Sequence, residues 1–307
     1  MSSKRPTSFM EGVSEINDTP SEAAAATLWS DVWRKMRRDK RFWVAAVLIT
    51  MFALMAIAPF LFFTKDPQAC PIADFAQRPG REHWFGTDIL GCDYYTRVVY
   101  GARTSFKVGL VVASVTIAIA LTLGASAGYY GRKTDMIASR FADILFSVPT
   151  LLGAILVLTL FHGGGALIIG LVIAFFGWPD MFRLVRSTVI GGKTRGYVRA
   201  ARTMGSSGRT ILRRHVLPNG IAPVLVFAAY VIGGAVGAEA GLTFLGVGLQ
   251  LPSISWGLQL AVADTRFPEL AYLMIYPSLF LCLMIGAFIL LGESLRDALD
   301  VKLEPND

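Results

Sequence analysis

The chain has 307 residues, of which 54% are hydrophobic and only 17% are charged, with a formal net charge of +7. A soluble domain of this length is rarely so apolar, so the composition indicates an integral membrane protein and argues against a soluble enzyme. The positive charge needs no nucleic acid as a partner, because anionic lipid at the inner membrane surface attracts Lys and Arg.

The N-terminal part changes character before the first apolar run. Residues 1–27 are polar, and we predict a disordered cytoplasmic tail. Residues 28–41 place apolar side chains at helical spacing among basic ones, which predicts an interfacial amphipathic helix with Trp29 and Trp33 at the membrane surface. The alternative is a basic flank without helical structure. A transmembrane domain over residues 42–303 and a short tail, 304–307, complete the predicted organisation.

Uncharged runs within residues 42–303 predict six transmembrane helices, since a helix needs about 20 apolar residues to cross the hydrocarbon core. The predicted spans are 42–63, 108–131, 144–161, 163–179, 216–238 and 270–292. The third and fourth are short, so we expect flanking residues to extend them. Most Lys and Arg residues then lie on the side of the N-terminus, and the positive-inside rule predicts that both termini are cytoplasmic.

Two connecting segments are predicted to lie outside the cell. Residues 65–103 form a long external loop that contains Cys70 and Cys92, for which a disulfide and free thiols both remain open. Residues 240–263 are uncharged but broken by Gly, Pro and Ser, which predicts a helix end followed by an external or re-entrant loop. Glu239 lies just before this segment, and we predict a solvated or gate-lining position for it.

A basic segment over residues 187–219 separates the fourth and fifth predicted spans. We predict a short helix over 195–204, a break at the GSSG of 205–208, and a second helix over 210–216 that Pro218 limits. Small residues at Ala200, Ala201 and Gly205 suit close approach to another protein. An ordinary basic loop is the alternative. Asp143 is predicted to form a structural ion pair with Arg140, one helical turn earlier.

Five motifs in register resemble one transporter family. The segment over 197–219 is similar to the cytoplasmic coupling loop of ABC importer membrane subunits. The others resemble the oligopeptide, dipeptide and nickel permease family, in particular its C subunit: HWFGTDILGCDYYTRVVYGARTSFKVG at 83–109, GYYGRKTDMIASRFADILFSVP at 128–149, AGLTFLGVGLQLPSISWG at 240–257 and GESLRDALDV at 292–301. The family's usual residue is replaced at Cys92, Gly196, Arg199, Glu293 and Val301.

The resemblance implies the type I permease fold of ABC importers, an all-α membrane fold with six spans and a cytoplasmic coupling helix. It implies half of a translocation pathway for oligopeptides or dipeptides in a prokaryotic cell membrane. The implied partners are a homologous B permease subunit, two ATPase subunits, an extracytoplasmic substrate-binding protein, peptide substrate and membrane lipid.

The resemblance also implies two groups of site residues. The residues that couple to the ATPase are Tyr197, Arg199, Ala200, Ala201, Arg202, Gly205, Ile211, Leu217 and Pro218. The candidates for an external gate or docking surface are Gly86, Thr87, Asp88, Asp93, Arg97 and Arg103. We expect replacement of Asp88 or Asp93 by Ala to reduce uptake without preventing membrane insertion.

The sequence predicts no catalytic or metal-binding residues. GGKT at 191–194 lacks the glycine of a phosphate-binding loop, since Ser187 stands at that position, so we expect ATP and Mg²⁺ to be bound by partner subunits only. Within the family, nickel, glutathione or another small solute is the alternative cargo. A secondary transporter or channel would show paired intramembrane charges or inverted repeats, and a membrane scaffold for a soluble enzyme would not require these motifs.

Overall fold

The computed structural model describes Ser30 and residues 32–160 and 165–299, and within these residues the long elements are all helices. The helices are α1 (Lys40–Ile57), α2 (Tyr94–Tyr130), α3 (Arg132–Phe146), α4 (Thr150–Leu160), α5 (Ala166–Gly192), α6 (Gly196–Thr203), α7 (Gly208–Phe244), α8 (Trp256–Asp264) and α9 (Tyr272–Leu299). Five of them, α1, α2, α5, α7 and α9, are long and apolar enough to cross a membrane. The prediction of an all-α membrane protein is confirmed. The predicted tails at 1–27 and 304–307 lie outside the described residues.

The N-terminal helix is interrupted where the sequence predicts continuity. Residues 32–38 are helical, but Asp39 leaves the helical conformation and its side chain accepts a hydrogen bond from the Arg41 backbone N–H at 2.9 Å, which starts α1. The predicted single helix over 28–41 is therefore wrong in its extent. Leu28, Trp29 and Asp31 lie outside the described residues. Met36 packs with Phe42 and with Ala298 near the end of α9.

The second span begins fourteen residues earlier than predicted. Asp93 accepts a hydrogen bond from the Thr96 backbone N–H at 2.9 Å and caps α2, which starts at Tyr94. Arg97, Arg103 and Lys107 lie in its first turns, so hydropathy alone does not reveal this part of the helix. The predicted external loop over 65–103 therefore ends at residue 93.

The third predicted span is broken. Neither α3, with 15 residues, nor α4, with 11, is long enough to cross a bilayer alone, and the two meet at an angle of 81°. Pro149 lies in the break, and proline disfavours helical geometry at the residue before it. Counting the bent pair as one span gives the predicted total of six.

The fourth and fifth spans extend past their apolar runs. Helix α5 continues through Pro179 to Gly192, and its charged end pairs with α3: Arg186 Nη2 donates to Asp135 at 2.7 Å and Arg183 Nη2 to Asp143 at 3.0 Å. The predicted partner of Asp143, Arg140, is therefore wrong. Helix α7 contains a wider π-helical turn at Leu212–Val216 directly before Pro218. This turn accommodates the proline without ending the helix, contrary to the prediction.

The predicted helix end is confirmed, and we call residues 245–255, which follow it, the re-entrant segment because they turn back towards α2. Helix α7 ends at Phe244, and α8 packs mainly against α7 and α9, with a smaller contact to α2. Trp256 Nε1 donates to the Val98 carbonyl at 2.8 Å, and Thr104 Oγ1 donates to the Ile254 carbonyl at 2.6 Å. Trp256 is fully buried in the largest core cluster, together with Phe52 and other residues of α1, α2 and α9.

Candidate functional sites

Candidate sites lie at the two ends of the long helices. We call the end formed by residues 58–93 and 245–271 the loop face, and the end formed by residues 193–207 the short-helix face. Tyr272 on α9 donates from its hydroxyl to the Thr87 carbonyl at 2.8 Å, which joins elements of the loop face. Lys193 Nζ donates to the Gly128 carbonyl at 2.8 Å, which ties the short-helix face to the end of α2.

Helix α6 is anchored by one side and displayed by the other. Val198 is fully buried and Ala201 is 3% exposed, and both pack in a core cluster with Ile211, Leu212 and Val216 of α7. Gly205 has a φ of +82°, a conformation that glycine adopts without strain, and it turns the chain from α6 towards α7. Ser207 then caps α7 by accepting a hydrogen bond from the Thr210 backbone N–H at 3.3 Å.

The displayed side of α6 is basic. Of the predicted coupling residues, those exposed are Arg199, Ala200, Arg202, Gly205 and Pro218. The remaining four, Tyr197, Ala201, Ile211 and Leu217, are buried or half-buried within the chain. The small side chain of Ala201 is predicted to face a partner, but it packs in the buried cluster that joins α6 to α7. Met204 is not among the predicted coupling residues, although its side chain is 77% exposed beside Gly205.

At the loop face, a buried carboxylate is held by several donors. Asp93 Oδ1 lies 2.7 Å from His83 Nδ1, and Asp93 Oδ2 accepts from Thr96 Oγ1 at 2.7 Å. Burial tends to raise the pKa of Asp93, but the hydrogen bonds from Thr96 and His83 and the charge of Lys65 outweigh burial and hold this pKa below its usual value. His83 was not among the predicted site residues, although it stands in the same motif.

Asp88 organises the neighbouring turn. Its Oδ2 forms an ion pair with Arg97 Nη1 at 2.6 Å, and its Oδ1 accepts from the backbone N–H groups of Leu90 and Cys92 at 2.8 and 2.9 Å. Cys92 forms a disulfide with Cys70, which resolves the alternative that the sequence left open. The turn is thus held by an ion pair, by backbone hydrogen bonds and by a covalent link.

The other predicted gate residues also have partners inside the chain. Buried Thr87 accepts a hydrogen bond from the Gln77 backbone N–H at 2.8 Å and donates one to the Asp74 carbonyl. Gly86 has a φ of +76°, and an added Cβ would come within 2.5 Å of the Gln77 carbonyl oxygen. Arg103 lies apart from this group and donates to the Ala56 carbonyl at 2.8 Å. Gly86 and Thr87 therefore shape the loop through contacts with Gln77, whereas Arg103 joins α2 to the end of α1.

Glu239 is fully buried, so the predicted solvated or gate-lining position is wrong. Its carboxylate accepts hydrogen bonds from Ser105 Oγ on α2 and Thr243 Oγ1 on α7, each at 3.0 Å. Thr243 in turn accepts from the Leu249 backbone N–H at 3.2 Å. Glu239 therefore joins two spans to the re-entrant segment. Across residues 32–160 and 165–299, no group of three or more His, Cys, Asp or Glu side chains is arranged to hold a metal ion.

Together, these observations define a multi-span membrane subunit that displays a basic helix at one end and a structured loop at the other, an arrangement suited to a transporter. Residues 120–305 match the family described as binding-protein-dependent transport system inner membrane component. Residues 27–78 match the N-terminal transmembrane domain of oligopeptide transport permease C. The chain belongs to this family of transport permeases, as the motifs predict.

Similar proteins cover almost the whole chain. The dipeptide transport system permease protein DppC of Alkalihalophilus pseudofirmus is 36% identical over 294 residues, which are 94% of this chain and 96% of that protein. The oligopeptide transport system permease protein OppC of Bacillus subtilis is 35% identical over 280 residues, 90% of each chain. The glutathione transport system permease protein GsiD of Pectobacterium atrosepticum is 36% identical over 286 residues, 92% of this chain and 94% of that protein.

Proposed function

We propose that this chain is the C-type permease subunit of an ATP-driven peptide importer. In this role it forms half of the pathway, beside a homologous B permease subunit. The observation that carries the proposal is α6, whose Val198 side packs on α7 while Arg199, Ala200 and Arg202 remain exposed. Such a helix can receive a partner without being detached from the spans.

The packing of α6 suggests how movement reaches the membrane. When two ATPase subunits close around ATP and Mg²⁺, they displace the exposed side of α6. Because Val198 and Ala201 pack against Ile211 and Val216, the displacement passes into α7, which continues without interruption from Gly208 to Phe244. The inward-open and outward-open arrangements then differ in their affinity for the closed ATPases, and ATP shifts the population between them.

In this role, the short-helix face lies in the cytoplasm and the loop face lies outside. Exposed Arg199, Arg202, Arg209, Arg213 and Arg214 lie at or next to α6. This concentration of positive charge is typical of the cytoplasmic side. It also suits an acidic docking surface on the ATPase, with Arg199 standing where the family usually has Glu.

Site-directed crosslinking tests the docking and the orientation together. Cys282 is replaced by Ala, the Cys70–Cys92 disulfide is kept, and a single cysteine is introduced at Arg199 or, as a control on the loop face, at Arg78. In native membranes we expect Arg199→Cys to crosslink to an ATPase with a complete phosphate-binding loop, and Arg78→Cys not to do so. Recovery of only this chain, without ATPases, from both variants would contradict the proposal.

The cargo is proposed from the similar proteins. Their names specify dipeptide and oligopeptide transport, and we propose peptides as the main cargo. Glutathione, itself a short peptide, is a second candidate because the glutathione permease is equally similar. The test is ATP-dependent uptake of a labelled dipeptide, a labelled pentapeptide and glutathione by the complete complex in liposomes. Uptake of none of the three would contradict the peptide assignment.

A further inference from the structure

A small cavity opens on the loop face, between the turn that follows Asp88 and the re-entrant segment. Its volume is about 120 Å³, and apolar side chains form most of its wall. The apolar walls come from four elements: Leu90 in the loop, Leu251 and Ile254 in the re-entrant segment, Leu258 and Val262 on α8, and Leu273 on α9.

Polar contacts and a disulfide hold the walls of the cavity together. On one side, Arg97 and Asp88 line the wall and form an ion pair with each other at 2.6 Å. On the other side, Gln259 Nε2 on α8 donates to the Arg97 carbonyl at 2.7 Å. The Cys70–Cys92 disulfide holds the turn next to Leu90. These links join the loop, α2 and α8, so we expect the cavity to persist when no ligand fills it.

The rim of the cavity is apolar and exposed. Leu90 and Leu251 line the cavity, yet 51% and 57% of their surfaces are exposed. Exposed apolar patches mark interaction sites, and in protein interfaces a few buried side chains contribute most of the binding energy.

The size of the cavity limits the ligand. An apolar cavity of about 150 Å³ binds benzene, so a cavity slightly smaller suits a single aromatic ring or a branched aliphatic side chain.

We infer that this cavity receives one hydrophobic side chain, from the surface of the extracytoplasmic binding protein that delivers substrate to this permease. The inference rests on the proposed function, which places the loop face outside. The family is described by its dependence on a binding protein, so a soluble partner must reach this face. A lipid chain is a poor match, because the charged pair Asp88–Arg97 and the amide of Gln259 share the wall.

Photocrosslinking identifies the occupant directly. In the complete complex, a photoreactive phenylalanine analogue replaces Leu90. The control carries the same analogue at Leu61, an exposed residue of the loop face that does not line the cavity. We expect the Leu90 position to crosslink to the purified binding protein within a short segment that carries an exposed Tyr, Phe or Leu. Crosslinks to the second permease subunit, to lipid or to the transported peptide, or none at all, would overturn the inference.

Filling the cavity tests its contribution to affinity. Val262→Phe places a ring inside, and Leu61→Phe is the matched control. We expect Val262→Phe to weaken binding-protein affinity by about tenfold or more and Leu61→Phe by less than about twofold. If Val262→Phe fails to assemble, Val262→Leu provides a milder filling. Unchanged affinity in an assembled variant would refute the inference, whereas a wild-type complex that neither binds the protein nor transports peptide would refute the proposed function.

Discussion

Shortening Val198 to alanine would loosen α6 without touching its exposed side. Val198 is fully buried against Ile211, Leu212 and Val216, whereas its neighbour Arg199 is exposed. The change removes two buried carbon atoms, each contributing about 0.8 kcal/mol, and leaves a small cavity, so we expect a local destabilisation of about 2 kcal/mol. That free energy corresponds to a roughly 30-fold change in the local opening equilibrium.

Hydrogen exchange measured by mass spectrometry reports this opening. In the assembled complex, backbone amides of residues 196–203 should exchange roughly 30-fold faster in Val198→Ala than in wild type, while amides of α9 should not change. Arg199→Ala, the matched control, should leave exchange at 196–203 within about twofold of wild type, since surface changes rarely cost more than about 0.5 kcal/mol.

The same variant tests the proposed coupling. If α6 transmits force through its buried side, Val198→Ala should hydrolyse ATP but transport fewer substrate molecules per ATP. Exchange that is unchanged in Val198→Ala, or accelerated equally in Arg199→Ala, would refute the argument that this side chain anchors the helix. Accelerated exchange with normal transport would refute the coupling alone.

Three further changes probe the loop face. Replacing Cys70 and Cys92 by Ser removes a link across 22 residues, which should destabilise the loop by about 3 kcal/mol and speed its cleavage in limited proteolysis. Gly86→Ala forces a side chain into a left-handed position against the Gln77 carbonyl and should speed cleavage similarly; Gly80→Ala, whose added Cβ meets no atom closer than 3.8 Å, should not. Because the pKa of Asp93 is lowered in the folded loop, its stabilising effect is present above its unfolded pKa of about 4 and is lost as pH falls through the lower folded value. Proteolysis between pH 6 and pH 3 should therefore show less pH dependence in Asp93→Asn than in wild type.

Local sequence predicted the apolar elements well and the polar ends of helices poorly. Uncharged runs indicated the membrane spans because the hydrocarbon core excludes charge whatever the neighbours are. The first turns of α2 carry Arg97, Arg103 and Lys107, so hydropathy placed the start of this helix too late. A helix at a membrane surface tolerates such charges when they have hydrogen-bonding or ionic partners. Here the partners are the Asp88 carboxylate for Arg97 and the Ala56 carbonyl for Arg103, and only the folded chain brings them together.

The candidate sites also combine features that local sequence predicts with features that depend on packing. Composition and spacing predicted a short helix near residues 195–204, and the structure places one at Gly196–Thr203. Which of its small residues faces outward depends on what it packs against, so Ala200 and Ala201 could not be distinguished from the sequence. The motif residues of the loop face were identified from their resemblance to a family, but their hydrogen bonds depend on how the loop folds.

Composition and local order were enough to indicate a multi-span membrane protein with a basic helix between two spans, because those properties depend on neighbouring residues only. The motifs, through their resemblance to a family, indicated a permease. Tertiary structure decided that Asp143 pairs with Arg183, that Glu239 is buried between α2 and α7, and that Cys70 bonds to Cys92. It also created the cavity beside Leu90, whose walls come from residues far apart in the chain. Long-range contacts between polar groups arise only when distant helices pack, and no local pattern specifies which distant partner will be within reach.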